Sequence, residues 1–114
     1  MDLYLEEKKY GALLERELER ITEELKNIGA EKIILFGSYA KNRADLFTDL
    51  DIIVVLKSDL PFVERMGFVY QKIVPKVAAD ILVYTPMEWS IMKEKSFFKR
   101  AIDEGRVLFE KVRD

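Results

Sequence analysis

Three aspartates stand where buried strands are predicted, and a carboxylate in such a place costs free energy unless something pairs with it. Asp49 and Asp51 lie two residues apart at the start of the apolar run from Ile52 to Leu56. In an extended chain their side chains project from the same face, with Cα atoms about 7 Å apart. Repulsion between the two charges favours a bound divalent cation, and ligation by oxygen alone selects Mg²⁺ or Mn²⁺.

Asp80 is the third aspartate. It immediately precedes the apolar run from Ile81 to Tyr84, just as Asp51 immediately precedes the apolar run that begins at Ile52. If the two strands are neighbours, three carboxylates meet at one point. That arrangement can hold two metal ions about 3.5 to 4 Å apart for phosphoryl or nucleotidyl transfer. The alternative interpretation of each aspartate is a solvated residue at a strand start or edge.

Gly37 and Ser38 could bind a phosphate group. They follow the short apolar run Lys32 to Phe36, which predicts a strand that ends in a turn at the start of a short helix. Glycine lets a ligand approach the backbone, and the N–H groups at the start of a helix favour an anion. The segment lacks the Gly-x-x-x-x-Gly-Lys-[Ser/Thr] pattern of a Walker P-loop.

The composition limits which other chemistry is available. The 114 residues contain no cysteine and no histidine, which excludes disulfides, thiolate nucleophiles, imidazole bases and zinc sites of the Cys/His type. With 19 basic and 21 acidic residues the net charge is −2, so no direct nucleic-acid binding is expected. No apolar run approaches the ~18 residues that span a bilayer, and the N-terminus lacks a signal-peptide core. We therefore expect a cytoplasmic protein that does not bind membranes.

Apolar spacing predicts alternating helices and strands over residues 1–114, and hence one domain of the α/β (α+β) class. The apolar run at 52–56 predicts a strand in the middle of a sheet, covered on both faces. Thr85, Pro86 and Glu88 predict a capping box at a helix start. The predicted helices span 14–28, 62–74 and 85–104, with a short helix after Gly37, and the predicted strands span 32–36, 52–56, 77–84 and 107–109.

Together, the segments Gly37-Ser38-Tyr39-Ala40-Lys41 and Thr48-Asp49-Leu50-Asp51-Ile52, followed by Asp80, closely resemble the minimal nucleotidyltransferases (MNT proteins) of the DNA polymerase β superfamily. The resemblance covers essentially the whole chain. It implies the polymerase β-like fold, a mixed central sheet of about four strands flanked by helices. It also implies Mg²⁺-dependent transfer of AMP from ATP to a hydroxyl. Small stand-alone members are commonly antitoxins encoded beside a HEPN ribonuclease toxin, and the acceptor is then a tyrosine of that toxin.

The resemblance also implies a role for each matched residue. Gly37 and Ser38 would bind the triphosphate, Asp49 and Asp51 would ligate the metals, and Asp80 would ligate one metal and accept the proton of the attacking hydroxyl. All three carboxylates are therefore predicted to be both catalytic and metal-binding. None of this chemistry requires histidine or cysteine.

Two positions depart from the family pattern. Asn42 stands where the family usually has glycine, a mild change because asparagine tolerates the left-handed conformation. Thr48 replaces the usual serine and keeps the hydroxyl. Lys41 and Arg43 could reach the phosphates, but on a short exposed helix we interpret them as ordinary solvated charges.

Three other functions compete with this prediction. A non-catalytic module with the same fold could hold metal and nucleotide and neutralise its partner by contact alone. A glycosyltransferase with an Asp-x-Asp metal site is disfavoured by the short chain, and RNA modification by the lack of a basic stripe with interleaved aromatics. A domain of this size has no second lobe to enclose the acceptor. The site is therefore open or completed by another chain, which leaves room for a homo- or hetero-oligomer.

Overall fold

A four-stranded mixed sheet forms the centre of the molecule, whose computed structural model describes residues 2–43 and 45–112. Its strands are β1 (Lys32–Phe36), β2 (Leu50–Val55), β3 (Ala79–Tyr84) and β4 (Arg106–Glu110). Their order is β3-β2-β1-β4, with β1 antiparallel to both neighbours and β2 parallel to β3. This confirms the predicted fold class, and the strand ends differ from the predicted ones by two residues at most.

The central position of β2 explains its uniformly apolar sequence. Ile52, Ile53, Val54 and Val55 are all buried, because β2 lies between β1 and β3 and helices cover both faces of the sheet. The registers place Asp51 opposite Phe36 on β1 and opposite Asp80 on β3. The expectation that the strands of Asp51 and Asp80 are neighbours is therefore confirmed.

Each face of the sheet carries two helices. On one face, α1 (Leu3–Asn27) and α3 (Phe62–Ile73) bury the side chains of Leu14, Ile21, Leu25, Val69 and Ile73. On the other, α4 (Pro86–Met92) and α5 (Ser96–Glu104) bury Trp89, Phe98 and Ala101. The one-turn helix α2 (Gly37–Ala40) follows β1 directly. Asp51 alternates with Ile52 along β2, and Asp80 alternates with Ile81 along β3. Both aspartate side chains therefore project from the face of the sheet that carries α4 and α5.

The first helix is longer than predicted. It begins at Leu3 rather than Leu14, and the Asp2 carboxylate caps it by accepting the N–H of Leu5 at 3.2 Å. Leu3 and Leu5 are exposed, so this part of α1 has no buried stripe from which a helix could be predicted. Among the described helices none, α1 included, is long and apolar enough to cross a membrane.

The predicted single helix from Thr85 to Glu104 is wrong, because the chain turns between α4 and α5. The capping box of Thr85 and Glu88 starts α4 as predicted. The rings of Trp89 and Phe98 then meet edge to face with centroids 5.8 Å apart. In one continuous helix those residues would lie about 13 Å apart along the axis, so their contact requires the break.

Candidate active site

Three carboxylates converge at one edge of the sheet. Asp51 lies on β2, Asp80 lies opposite it on β3, and Asp49 immediately precedes β2. One carboxylate oxygen of each residue lies within 4.8 Å of the others. The convergence follows from two simple geometries, the two-residue repeat of an extended chain and the in-register pairing of parallel strands.

Asp51 carries most of the electrostatic cost of this arrangement. Burial, followed by the negative charges of Asp49 and Asp80, raises the pKa of the Asp51 carboxyl to about 6. A hydrogen bond with the Asp80 side chain acts in the same direction. Within residues 2–43 and 45–112, no positively charged side chain is among the groups that shift the pKa of Asp51. A set of ligands made only of carboxylate oxygens fits Mg²⁺ or Mn²⁺.

Gly37 lies against this cluster and has to be glycine. Its φ of +76° is in the left-handed region, and a Cβ built on it would collide with the carboxylate of Asp51. The same residue begins α2, whose first N–H groups have no partners within the helix. Ser38 is exposed beside it. The phosphate-binding turn predicted from the sequence thus stands directly next to the predicted metal ligands.

An open cleft of about 300 Å³ runs along the cluster. Asp51, Asp80 and Tyr70 line it together with Phe36 and Phe97. The two phenylalanines meet edge to face with centroids 6.0 Å apart, and they also border a second hollow of about 220 Å³ that contains Gly37. The turn and the carboxylates therefore line neighbouring hollows that share Phe36 and Phe97.

The two departures from the family pattern fit the local backbone. Asn42 has a φ of +60°, the left-handed conformation that asparagine tolerates. Thr48 is buried, and its hydroxyl accepts the N–H of Asp45 at 2.8 Å, so it ties the loop before Asp49 together. Lys41 forms an ion pair with Glu104 at 2.6 Å, and Arg43 is exposed.

Comparison with known protein families settles the kind of protein. A family model described as "Nucleotidyltransferase domain" matches residues 15–108. The chain belongs to this family. The match includes Gly37, Ser38 and the three aspartates, and it confirms the resemblance to the polymerase β-like nucleotidyltransferases. No curated protein has a sequence that matches this one significantly.

Solved structures with the same fold include a candidate nucleotidyltransferase from Sulfolobus solfataricus. It shares 19% identity at a TM-score of 0.64, over 90% of this chain and 85% of that one. A toxin–antitoxin structure with AMP-PNP matches at 17% identity and a TM-score of 0.54, over 82% and 73% of the two chains. A mutant of the MntA–HpeT toxin–antitoxin matches at 20% identity and a TM-score of 0.51, over 85% of this chain and 72% of that one. At these identities the likeness concerns the fold.

Two tyrosines that the sequence patterns did not single out lie beside the site. The hydroxyl of Tyr10 donates to the carbonyl of Thr48 at 2.7 Å, just before Asp49. Tyr70 lines the cleft beside Asp80, and burial is the main cause that raises the pKa of its hydroxyl. Both occupy half-buried positions on amphipathic helices, where the sequence indicates only packing. Which backbone atoms their hydroxyls reach depends on the tertiary fold.

Proposed function

We propose that this chain transfers AMP from ATP to a hydroxyl in a reaction that depends on Mg²⁺ or Mn²⁺. We further propose that the hydroxyl belongs to a tyrosine of a HEPN ribonuclease toxin, so that the chain acts as the antitoxin. The observation that carries the first proposal is the convergence of three carboxylates beside the left-handed Gly37 in a nucleotidyltransferase domain. In this proposal residues 1–114 work as one domain.

Asp49, Asp51 and Asp80 would hold the metal. Their oxygens lie close enough to share one ion or a pair of ions. Burial and then the like charges of Asp49 and Asp80 disfavour the ionised form of Asp51, and a bound cation would offset both effects. A metal bound here would neutralise phosphate charge and lower the pKa of the incoming hydroxyl.

The remaining steps fall to the chain's own residues. Backbone N–H groups at Gly37 and Ser38 hold the triphosphate, with the Ser38 hydroxyl as a further donor. Asp80 is exposed at the mouth of the cleft, and its carboxylate accepts the proton of the attacking hydroxyl. The acceptor oxygen forms a bond to the α-phosphorus, the bond from that phosphorus to pyrophosphate breaks, and pyrophosphate leaves.

A protein acceptor is supported by the shape of the site. The cleft is open, and within the described residues no second lobe covers it, so a large partner can reach Asp80. Two of the structures with the same fold come from toxin–antitoxin pairs, one of them with AMP-PNP. These observations support a toxin as the partner and ATP as the donor.

Label transfer tests the proposal. The full chain is incubated with Mg²⁺, ATP labelled at the α-phosphate and a HEPN toxin protein, the proposed partner. We expect label on a tyrosine of that protein and none when the γ-phosphate carries the label. Asp80→Asn should slow transfer about 100-fold, which is a common contribution of a general base. If the toxin stays unlabelled while its ribonuclease activity is inhibited, the chain neutralises it by contact alone, and the proposed transfer reaction is contradicted.

A further inference from the structure

Asp80 lies on an edge strand of the sheet, so among the described residues no strand lies beside the backbone groups on one side of β3. In the sheet order β3-β2-β1-β4, β3 pairs with β2 on one side only. The carbonyl of Ala79 and the N–H of Ile81 both point to the free side, one on each flank of Asp80. The unpaired N–H and C=O groups of such an edge need hydrogen-bond partners from outside the sheet or from water.

The hydroxyl of Tyr70 occupies the place of the missing strand. It donates to the carbonyl of Ala79 and accepts the N–H of Ile81, each at 2.7 Å. Tyr70 lies on α3, and its ring packs against the core on the face opposite Asp80. One side chain, anchored on one face of the sheet, therefore holds both peptide groups that flank a site residue on the other.

We infer that Tyr70 is a positioning residue for Asp80, whose carboxylate it keeps aimed at Asp51 and at the metal. This role rests on the proposed function, because it needs a metal at the three carboxylates. Asp80 is exposed and contacts Asp51 across the strand pair, so few side-chain contacts fix it. Its direction therefore depends on the backbone that Tyr70 holds. Groups that orient metal ligands commonly change metal affinity about 10- to 100-fold when they are removed.

Mn²⁺ binding by the full chain provides the test. Calorimetric titration with Mn²⁺, alone and with AMP-PNP, compares the wild type with Tyr70→Phe, which keeps the ring and removes only the hydroxyl. We expect Mn²⁺ affinity to fall about 10-fold in the variant. Tyr84→Phe is the matched control, because Tyr84 is a buried tyrosine outside the carboxylate cleft, and Mn²⁺ affinity should not change.

A double variant separates positioning from general destabilisation. If Tyr70 acts through Asp80, Tyr70→Phe should weaken Mn²⁺ binding in the wild type and have no further effect in Asp80→Asn. Equal losses in both backgrounds would show a merely structural role. Unchanged affinity in Tyr70→Phe, beside normal binding by the wild type, would overturn the inference alone. A wild type that binds no Mn²⁺ would contradict the proposed function as well.

Hydrogen exchange of the wild type gives a second measurement that needs no variant. The N–H of Ile81 lies on a sheet edge, yet its hydrogen bond to the Tyr70 hydroxyl should slow its exchange relative to an unbonded amide. Exchange of Ile81 at the rate of a free amide would show that the hydroxyl does not hold this peptide, and the inference would fail.

Discussion

At the scale of single residues, the site requirements oppose the stability of the fold. Asp51 is partly buried, and burial, followed by the like charges of Asp49 and Asp80, raises the pKa of its carboxyl to about 6. Gly37 is held at a positive φ so that its backbone can lie against the same carboxylate. The buried like charges cost folding free energy, and the positive φ restricts position 37 to glycine. Both features make sense if a cation and a phosphate occupy the site.

Replacing Asp49 and Asp51 together by asparagine should abolish Mn²⁺ binding and nucleotide transfer while the fold becomes more stable. Two of three clustered charges disappear and no cavity opens, so we expect about 1 to 2 kcal/mol of added stability at pH 7 without metal. Urea unfolding and Mn²⁺ titration measure the two effects. A variant that unfolds would show that these aspartates are structural.

Gly37→Ala should damage the site at the backbone. The added Cβ would collide with Asp51, and the left-handed conformation alone costs an L-residue about 1 to 2 kcal/mol. We expect AMP-PNP with Mn²⁺ to bind at least about 10-fold more weakly, the effect of losing one strong polar contact. Gly67→Ala is the matched control. Gly67 lies on α3, and a Cβ added there would meet open space, so the substitution should stabilise the helix by up to about 1 kcal/mol. Equal AMP-PNP affinity in both variants would place the phosphates away from Gly37.

At the scale of elements, local patterns predicted what depends on local causes. The bounds of β1, the capping box of Thr85 and the central place of β2 all follow from neighbours in sequence. The break between α4 and α5 does not, because no glycine or proline marks residues 93–95, and the contact of Trp89 with Phe98 that accompanies the break is a matter of packing. The carboxylate cluster could be predicted because strand pairing is regular. The bonds of Tyr70 could not, since they depend on where α3 packs.

Another tertiary link joins α1 to the end of α3. The buried carboxylate of Glu17 accepts two hydrogen bonds of 2.7 Å, one from Arg20 Nε and one from the backbone N–H of Lys76. Arg20 in turn donates to the carbonyl of Ile73, the last residue of α3, and to the carbonyl of Val74, which follows it. The segment after these carbonyls leads into β3, so this network fixes where the strand of Asp80 begins.

Glu17 should make stability depend on pH in the acid range. The hydrogen bond from Arg20 outweighs burial and lowers the pKa of the Glu17 carboxyl to about 2. Since the folded state has the lower pKa, this contribution is present above pH 4.5 and is lost as pH falls toward 2. We expect Glu17→Gln to lose about 3 kcal/mol at pH 7 and almost nothing at pH 2, measured by urea unfolding.

Glu19→Gln is the control for this prediction, because Glu19 is exposed on the same helix. Its free energy of unfolding should follow that of the wild type between pH 2 and pH 7. A Glu17→Gln variant whose loss of stability is the same at every pH would show that the carboxylate charge does not contribute, and that packing explains the effect.

At the scale of the whole molecule, the hydrophobic core and the candidate active site occupy different parts of the sheet. Helices on both faces bury the middle of the sheet, and the three carboxylates lie where β2 and β3 begin. The open cleft there leaves room for a partner to approach. A site that is built on strands but left uncovered can bind nucleotide and metal before the acceptor arrives.

Ligands that bind only the folded chain should therefore stabilise it without any partner. When the free concentration of the Mg²⁺ complex of AMP-PNP is 100-fold above its dissociation constant, this complex should add about 2.7 kcal/mol, which raises Tm by about 10 °C for a chain of this size. Mg²⁺ or AMP-PNP alone should add less, because the metal neutralises the carboxylates that would otherwise repel the phosphates. Differential scanning fluorimetry measures the shift, and EDTA should remove it. The variant that carries Asp49→Asn and Asp51→Asn should show almost no shift from the pair of ligands. A shift of equal size in that variant would mean that nucleotide and metal bind elsewhere on the molecule, because the variant keeps the sheet and helices but lacks two of the three carboxylates.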